Sequence, residues 1–491
     1  MYEIALAFSV FCLVGVSFAF IRSAAFSIFH PLTFYTLFHG FIFVFRPIVA
    51  RIMDFQTIYR SYQFTPSASD KLTVILASNL GFVTFAACCM LAGNVAMRFK
   101  QDSVAIAQRE RVKPLFLWVA AICVPIGAYS LSIVWNGAAT SEVGYAGMVR
   151  DAGTGVSVNT ANNGYLMEAQ LMLASCGAVL AWVFRFRVLA VLPLVLFVVF
   201  RAGTGGRGPF VTALATVGLL WLYERRRRLP TVPILAIMAA VVVVFNVVGD
   251  DRGASVRRAI GQENSSEVFG RNRIGERWLE GMDFGNLEYF EYLVYTIPQK
   301  THTYGYFLDT LQVFTEPVPR VLWSGKPVGA PFNNIYLLDY GNAIGMTRSL
   351  PGQGWYSLGW LGVIFWCGLW GYVLGRIYRR FVEGAQGTFE TAAYMVFLPI
   401  LIVAFRDGQL VTVFRQGLFF FAPIVMWWLF ARALGVPDVA AVRQMLAQRR
   451  RKNGDIALAS GGEQTTRAPA GDAGLPPAVL RRRLALGRDT A

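Results

Sequence analysis

The sequence predicts an all-α polytopic membrane protein of about eleven transmembrane helices with one large outer loop, and three observations carry that reading. Of its 491 residues 55% are hydrophobic and only 15% charged, with a mean hydropathy of +0.48, outside the range of soluble globular domains. The apolar residues fall in runs of roughly 18 to 25, each sufficient to carry a helix across a ~30 Å hydrocarbon core. The densest Lys and Arg clusters follow the third, seventh and ninth runs, which places them on one side if every run crosses.

The runs lie near residues 3–21, 29–50, 72–97, 115–135, 165–184, 188–202, 209–223, 230–248, 355–375, 390–405 and 409–431. Arg98, Lys100, Arg109, Arg111 and Lys113, then Arg225 to Arg228, then Arg376, Arg379 and Arg380 mark the cytoplasmic side. The N-terminus is then outside and the C-terminus inside, with segments 51–70, 136–164, 203–208, 249–354 and 406–408 outside. The first run has Glu3 and no cation ahead of it and Arg22 behind it, the charge order of an N-out anchor rather than a cleavable signal peptide. The sixth run, Val188 to Phe200, is short and interrupted by Pro193, and the parity of the scheme depends on its crossing. The chain thus divides into eight spans in 1–248, a large outer loop in 249–354, three spans in 355–432 and a basic tail in 433–491. That tail is rich in Arg, Ala and Gly, and reads as disordered cytoplasmic sequence near anionic headgroups.

These features exclude several classes of function. A soluble enzyme is ruled out. All six cysteines sit inside apolar runs without a CxxC or Cys/His pattern, so neither a disulfide framework nor a zinc site is expected. The formal charge of +16 is largely topological and does not imply nucleic acid. No internal repeat supports a transporter built on inverted halves. There is no DxD, HExxH or His cluster, and no metal or other cofactor is expected.

The informative cations are those outside the cytoplasmic clusters. Arg201 precedes Gly203, Thr204, Gly205, Gly206, Arg207, Gly208 and Pro209, a glycine turn opening a helix. It matches GxGxxG by accident, since no strand or βαβ unit surrounds it. Physically it is a helix N-terminus beside two guanidinium groups, a place for phosphate; the plainer alternative is a turn whose arginines reach outer headgroups. In the outer loop, Glu316 to Pro327 combines three prolines with Arg320, Lys326 and Trp323, a rigid segment suited to form a ligand wall. Between the last two runs stand Arg406, Asp407, Gly408 and, deeper, Arg415, a costly position unless paired or wet. Arg406 and Arg415 either pair with acids to fix packing or complete an anion site with Arg201 and Arg207. His302, in the outer loop, can accept a proton at neutral pH.

His30-Pro31 opening a span, the Arg201-to-Gly208 turn, the segment Pro319-Arg320-Val321-Leu322-Trp323-Ser324-Gly325-Lys326-Pro327, and Gly359-Trp360-Leu361-Gly362 after a long outer loop together resemble the Wzy-type O-antigen polymerases, bacterial oligosaccharide repeat-unit polymerases. The likeness in layout covers most of residues 1–432. It implies a multi-span glycosyltransferase at the periplasmic face of the inner membrane, so that 249–354 becomes a large periplasmic loop. Such enzymes transfer a glycan from undecaprenyl pyrophosphate to a sugar hydroxyl on another lipid-linked repeat unit, making O-antigen or exopolysaccharide without nucleotide sugar or metal. The implied partners are that lipid-linked oligosaccharide, membrane lipids and a chain-length regulator protein.

The leaving group is then a lipid pyrophosphate, whose developing charge arginines at a helix N-terminus are suited to stabilise. Arg201, Arg207 and Arg320 carry the cations of the matching motifs, with Gly205 and Gly206 in the turn; Lys326, Arg406 and Arg415 extend the set on the residue reading alone. For the base that deprotonates the acceptor, His302, Glu316, Glu291 and Asp309 are the candidates, with His302 and Glu316 ranked first. The chain departs from the family where an acid is usual near the ninth span: Gly352-Gln353-Gly354-Trp355 stands there. The rival readings are an O-antigen ligase passing the same glycan to lipid A core, a transporter of the lipid-linked oligosaccharide, and a structural scaffold.

Overall fold

The computed structural model describes residues 1–140, 148–150, 157–159, 164–203, 207–232, 234, 236, 279–281, 284–319, 321–327, 329–341 and 347–448. The fold is all-α apart from one three-residue antiparallel ladder, β1 (Met148–Arg150) with β2 (Ser157–Asn159), in the register Val149 to Val158. Its first part holds α1 (Tyr2–Arg22), then α2 (Pro31–His39) continuing through a π-helical turn, Gly40–Phe45, into α3 (Arg46–Met53), then α4 (Thr57–Tyr62), α5 (Ala68–Gly93) and α6 (Ser103–Thr140). A middle part holds α7 (Gly164–Glu168), α8 (Leu171–Val183), α9 (Val188–Gly203) and α10 (Arg207–Glu224). The last part holds α11 (Asn286–Thr296), α12 (Gln312–Thr315), α13 (Leu350–Glu383), α14 (Thr388–Asp407) and α15 (Leu410–Ala433).

Eight helical stretches among the described residues are long and apolar enough to cross a membrane, and they coincide with eight of the apolar runs. The sixth and seventh runs form the shorter α9 and α10; the eighth, 230–248, falls largely outside the described residues, as does the tail beyond 448. Large apolar side chains such as Phe8, Phe11, Trp118 and Leu361 point outward, the arrangement expected where lipid and not water is the solvent. Local chemistry sets the helix starts. The His30 ring accepts the Leu32 N–H ahead of α2, Ser67 and Asp70 form a reciprocal cap on α5, and the Ser349 hydroxyl accepts the Gly352 N–H on α13.

Contacts between the connections sort them onto two ends. At one end Ile28 N donates to Arg228 O (2.9 Å), Arg228 Nη2 to Met97 O (2.9 Å), and Arg185 Nη2 to Glu110 Oε1 (3.2 Å). These are the basic connections that the sequence assigns to the cytoplasm. At the other end Arg51 Nε donates to Glu3 Oε1 (2.8 Å), Arg201 Nη1 to Gln170 Oε1 (3.0 Å), and Ser349 N to Arg406 O (2.9 Å). α9 begins beside Arg185 and ends at Arg201, so the short run with Pro193 links the two ends.

Three boundaries differ from the apolar runs in ways that matter for the site and the topology. The third helix stops at Gly93, and α6 begins at Ser103, so Arg109, Arg111 and Lys113 lie within a helix rather than a connection. Arg109 is buried, its guanidinium on both oxygens of Glu224 at 2.7 and 3.0 Å, which makes that cation a packing element as well as a topology signal. α13 also starts earlier than its run and bends at Leu358 and Gly359, whose φ of +60° suits glycine.

The tightest packing joins α5 and α13. A Cβ added at Gly371 would lie 2.4 Å from Phe85 O, and at Gly375 2.5 Å from Cys89 O, so the two backbones touch along small residues. This seam holds the start of α13, and with it the outer site, in a fixed place.

Candidate active site at the outer end

Four segments meet at the end opposite the basic connections: the close of α9, the short α7, the 308–327 segment and the turn between α14 and α15. Arg201, the last cation of α9, donates to Gln170 Oε1, and the buried Gln170 is itself fixed by donating Nε2 to Met167 O (2.9 Å) and its backbone N–H to Ser130 Oγ (2.9 Å). Two residues earlier, Glu168 faces Arg415 of α15, with Oε1 3.8 Å from Nε. The other side of Arg415 reaches Glu316, Nη1 to Oε1 3.9 Å. Arg201 and Arg415 are thus brought to residues two apart at the close of α7, and Glu316 is brought to Arg415.

The segment after α12 is turned back on itself. Lys326 Nζ donates to the carbonyls of Glu316 and Val318, each at 3.0 Å, and Tyr165 of α7 donates its hydroxyl to Glu316 O. Lys326 therefore shapes the wall that carries Glu316. Gln312 Nε2 donates to the Glu316 carboxylate at 3.2 Å.

Behind this wall lies a buried polar cluster. Arg348 Nη1 donates to Asp309 Oδ2 (2.5 Å) and Gln353 Oε1 (2.8 Å), and Gln353 Nε2 donates to both Asp309 oxygens at 3.1 and 2.9 Å. The guanidinium also lies 3.7 Å from the Tyr356 ring centroid. Burial, the largest single influence, lowers the Arg348 pKa, but the Asp309 carboxylate and the Tyr356 and Tyr289 side chains together outweigh it and the net shift is upward. Gln353 thus holds the Asp309 carboxylate. The cluster is tied to the site through Ser349 N on Arg406 O and through Asn286 Nδ2, which donates to Arg406 O (2.8 Å) and Thr347 O (2.8 Å).

Arg406 is exposed at the end of α14 and makes no hydrogen bond or salt bridge with its guanidinium among the described residues. It stands on the rim of a cleft of about 390 Å³. The walls are Phe34, Phe38 and Phe41 from α2 and the π-turn, Val211 and Thr212 from α10, and Pro399 and Val403 from α14; Asn286 and Gly208 share the rim. Arg406 and the start of α10 therefore face one space.

The remaining sequence candidates fall as follows. His302 is exposed, in a left-handed turn, and its ring makes no hydrogen bond or ion pair among the described residues; no contact joins it to Glu316 or Arg415. Gly205, Gly206 and Arg320 lie outside the described residues, and so does the side chain of Arg207, whose backbone begins α10. Glu291 and Asp309, weighed as bases, are both buried. Glu291 accepts from Tyr59 (2.6 Å), and its pKa is raised to about 7, first by burial and then by the Glu288 carboxylate. Glu288 itself pairs with the fully buried Arg46.

Glu168, Gln170 and Asn286 went unremarked in the sequence reading. Glu168 had a signal: an acid inside the apolar run 165–184. Asn286 and Gln170 are neutral residues whose role is visible only once their partners are placed. Among the described residues no three His, Cys, Asp or Glu side chains gather as metal ligands.

Neither the curated protein sequences nor the solved structures yield a match. A family model, the O-antigen polysaccharide polymerase Wzy, matches residues 2–433, which takes in every helix of the fold described above. With its multi-pass helical fold and the cations of its outer end, this chain belongs to the Wzy family of O-antigen polysaccharide polymerases.

Proposed function

We propose that the protein polymerises oligosaccharide repeat units carried on undecaprenyl pyrophosphate, at the periplasmic face of the bacterial inner membrane, in a transfer that uses no metal and no nucleotide sugar. The observation that carries this reading is the meeting of Glu316 and Arg415 at the outer end, with Arg201 of α9 on Gln170, two residues beyond α7, and Arg406 on the adjoining rim. That end is the one opposite the basic connections, which the positive-inside bias assigns to the cytoplasm.

The chemistry needs two things from the protein. One is a proton acceptor for the attacking hydroxyl, a role we give to Glu316, which is partly open beside Arg415 and carried by the Pro-rich wall, with Glu168 on the other side of the same guanidinium. The other is stabilisation of the departing pyrophosphate, for which the guanidinium groups of Arg201, Arg207, Arg406 and Arg415 are suited. In the step, the acceptor oxygen bonds to the anomeric carbon of the donor while the bond from that carbon to the pyrophosphate oxygen breaks. The electron pair leaves with the pyrophosphate, and the hydroxyl proton passes to Glu316. Lys326 holds the shape of the Pro-rich segment, and Arg320 of the same sequence segment is assigned a catalytic role from the resemblance alone. His302 is the second candidate base, on a separate part of the loop. The loop spans 249–354 and joins the transmembrane parts 1–248 and 355–432, with 433–491 as a basic tail; a chain-length regulator is the protein partner expected.

The test is the glycan ladder of cells lacking this protein, analysed together with the lipid-linked pool. A collapse to single repeat units supports a polymerase. Intact polymer retained on the carrier means a ligase and overturns the reading. Restoring the ladder with Glu316→Gln to the same level as the unaltered protein would remove Glu316 as base and leave His302.

A further inference from the structure

We infer that the cleft between α2, α10 and α14 seats the first isoprene units of a polyprenyl pyrophosphate, with Arg406 at its rim on the phosphate; this rests on the polymerase reading and adds a binding site to it. The cleft has about 390 Å³, near the lower end of small-ligand pockets, which is too little for a whole carrier lipid and enough for the start of its chain. Its lining residues Leu37 and Ile402 are also largely exposed, on helices read as spans, so the cleft opens sideways to the region occupied by lipid tails. The rest of the chain can therefore stay in the bilayer.

The walls and the rim differ in chemistry as a lipid pyrophosphate does. The rings of Phe34, Phe38 and Phe41 present flat apolar faces to a methyl-branched, unsaturated chain. At the rim, the Arg406 guanidinium stands without a hydrogen bond or salt bridge among the described residues, with the neighbouring Asp407 carboxylate acting on it only through its charge, and an exposed cation there complements a phosphate. Room for the phosphate exists beside it: a Cβ built on Gly208, at the start of α10, would meet nothing within 4 Å. Asn286 fixes the place of the cation, because its amide holds the Arg406 carbonyl.

This site is distinct from the place where Arg415 meets Glu168 and Glu316. The reaction proposed above consumes two lipid-linked molecules, and the outer end offers two cationic stations. The cleft accounts for one of them and gives the other pair of residues, Arg201 and Arg415, to the sugar-proximal phosphate or the second carrier.

The experiment uses the full chain in nanodiscs with a short polyprenyl pyrophosphate bearing a photoreactive diazirine at its hydrocarbon end. Labelled peptides are expected from α2, α10 and α14, with labelling lost to excess undecaprenyl pyrophosphate but not to phosphatidylglycerol. Val211→Trp, which fills the cleft, and Arg406→Gln, at the exposed rim where folding is not at stake, should each reduce labelling about tenfold. Labelling confined to other helices, equal competition by phosphatidylglycerol, or unchanged labelling in Arg406→Gln would each overturn the assignment. The polymerase reading fails separately, on an unchanged glycan ladder in cells lacking the protein, which labelling does not measure.

Discussion

Arg415 stands between two carboxylates, its Nε 3.8 Å from Glu168 and its Nη1 3.9 Å from Glu316. One planar fork thereby joins α15, the short α7 and the Pro-rich segment. Arg415→Lys keeps the charge but replaces the fork by a single ammonium that cannot address both acids. Polymer formation should fall by roughly 10- to 100-fold with normal membrane insertion, if the fork is worth about 1.4 to 2.7 kcal/mol to the reacting state. Full ladder length in that variant would show that the fork does not matter.

Glu316→Gln removes the proposed proton acceptor while keeping the shape and the Lys326 contacts to backbone carbonyls, which do not involve the side chain. A general base contributes about 10²- to 10⁴-fold, so turnover should drop by that order with little change in the amount of folded protein. His302→Ala is expected to have a smaller effect. An equal loss in the histidine variant would move the base to His302.

The Asp309 and Arg348 pair is buried, with side-chain exposures of 5% and 2%. Removing one partner leaves an uncompensated charge, which costs about 3–5 kcal/mol in buried pairs. Asp309→Asn should lower the unfolding temperature in detergent markedly, and Asp309→Asn with Arg348→Met should recover part of it. A double variant as unstable as the sum of the singles would mean that the two residues act independently.

Stability should also depend on pH through Glu291, whose pKa is raised to about 7 from an ordinary 4.5, by burial first and by Glu288 second, with Lys71, Tyr59 and Arg46 opposing. Below 4.5 the carboxyl is neutral in both folded and unfolded chains. Between 4.5 and about 7 the unfolded chain releases the proton and the folded chain keeps it, so stability falls as pH rises through that window and levels off above it. Glu291→Gln should flatten this slope. Thermal unfolding at pH 5, 6, 7 and 8 checks it, and an unchanged slope in the variant would assign it to another group.

Gly408 closes α14 with a φ of +73°, and a Cβ there would come within 2.1 Å of Ser349 O. Gly408→Ala combines left-handed strain with a clash against backbone, on the order of 3 kcal/mol. Loss of folded protein is expected, measured by gel filtration; a variant that folds and polymerises normally would contradict the close approach of this turn to the start of α13.

The layout of the spans was legible because it depends on solvent: a run of apolar residues declares itself without reference to its neighbours. The sixth run was harder to read, since Pro193 and a short length resemble a re-entrant segment, and only the placing of Arg185 and Arg201 at opposite ends settles its path. Of the site, the cations announced themselves by standing away from the cytoplasmic clusters. Their grouping did not. That Arg415 meets Glu316, far away in sequence, and that Arg406 faces a cleft, follow from helix packing that spacing does not encode. Asn286 and Gln170 were invisible for another reason: an amide has no charge or motif to mark it, and its importance comes wholly from the carbonyls and the guanidinium it meets.

A machine that lengthens its product by one unit at each turn must let that product slide, so some part of its frame has to yield. The seam where Gly371 and Gly375 bring α13 against the carbonyls of α5 cannot be that part, because two backbones in contact have no side chains to flex between them. It serves as the keel. The open space for a growing glycan lies instead where α2, α10 and α14 leave a cleft between them.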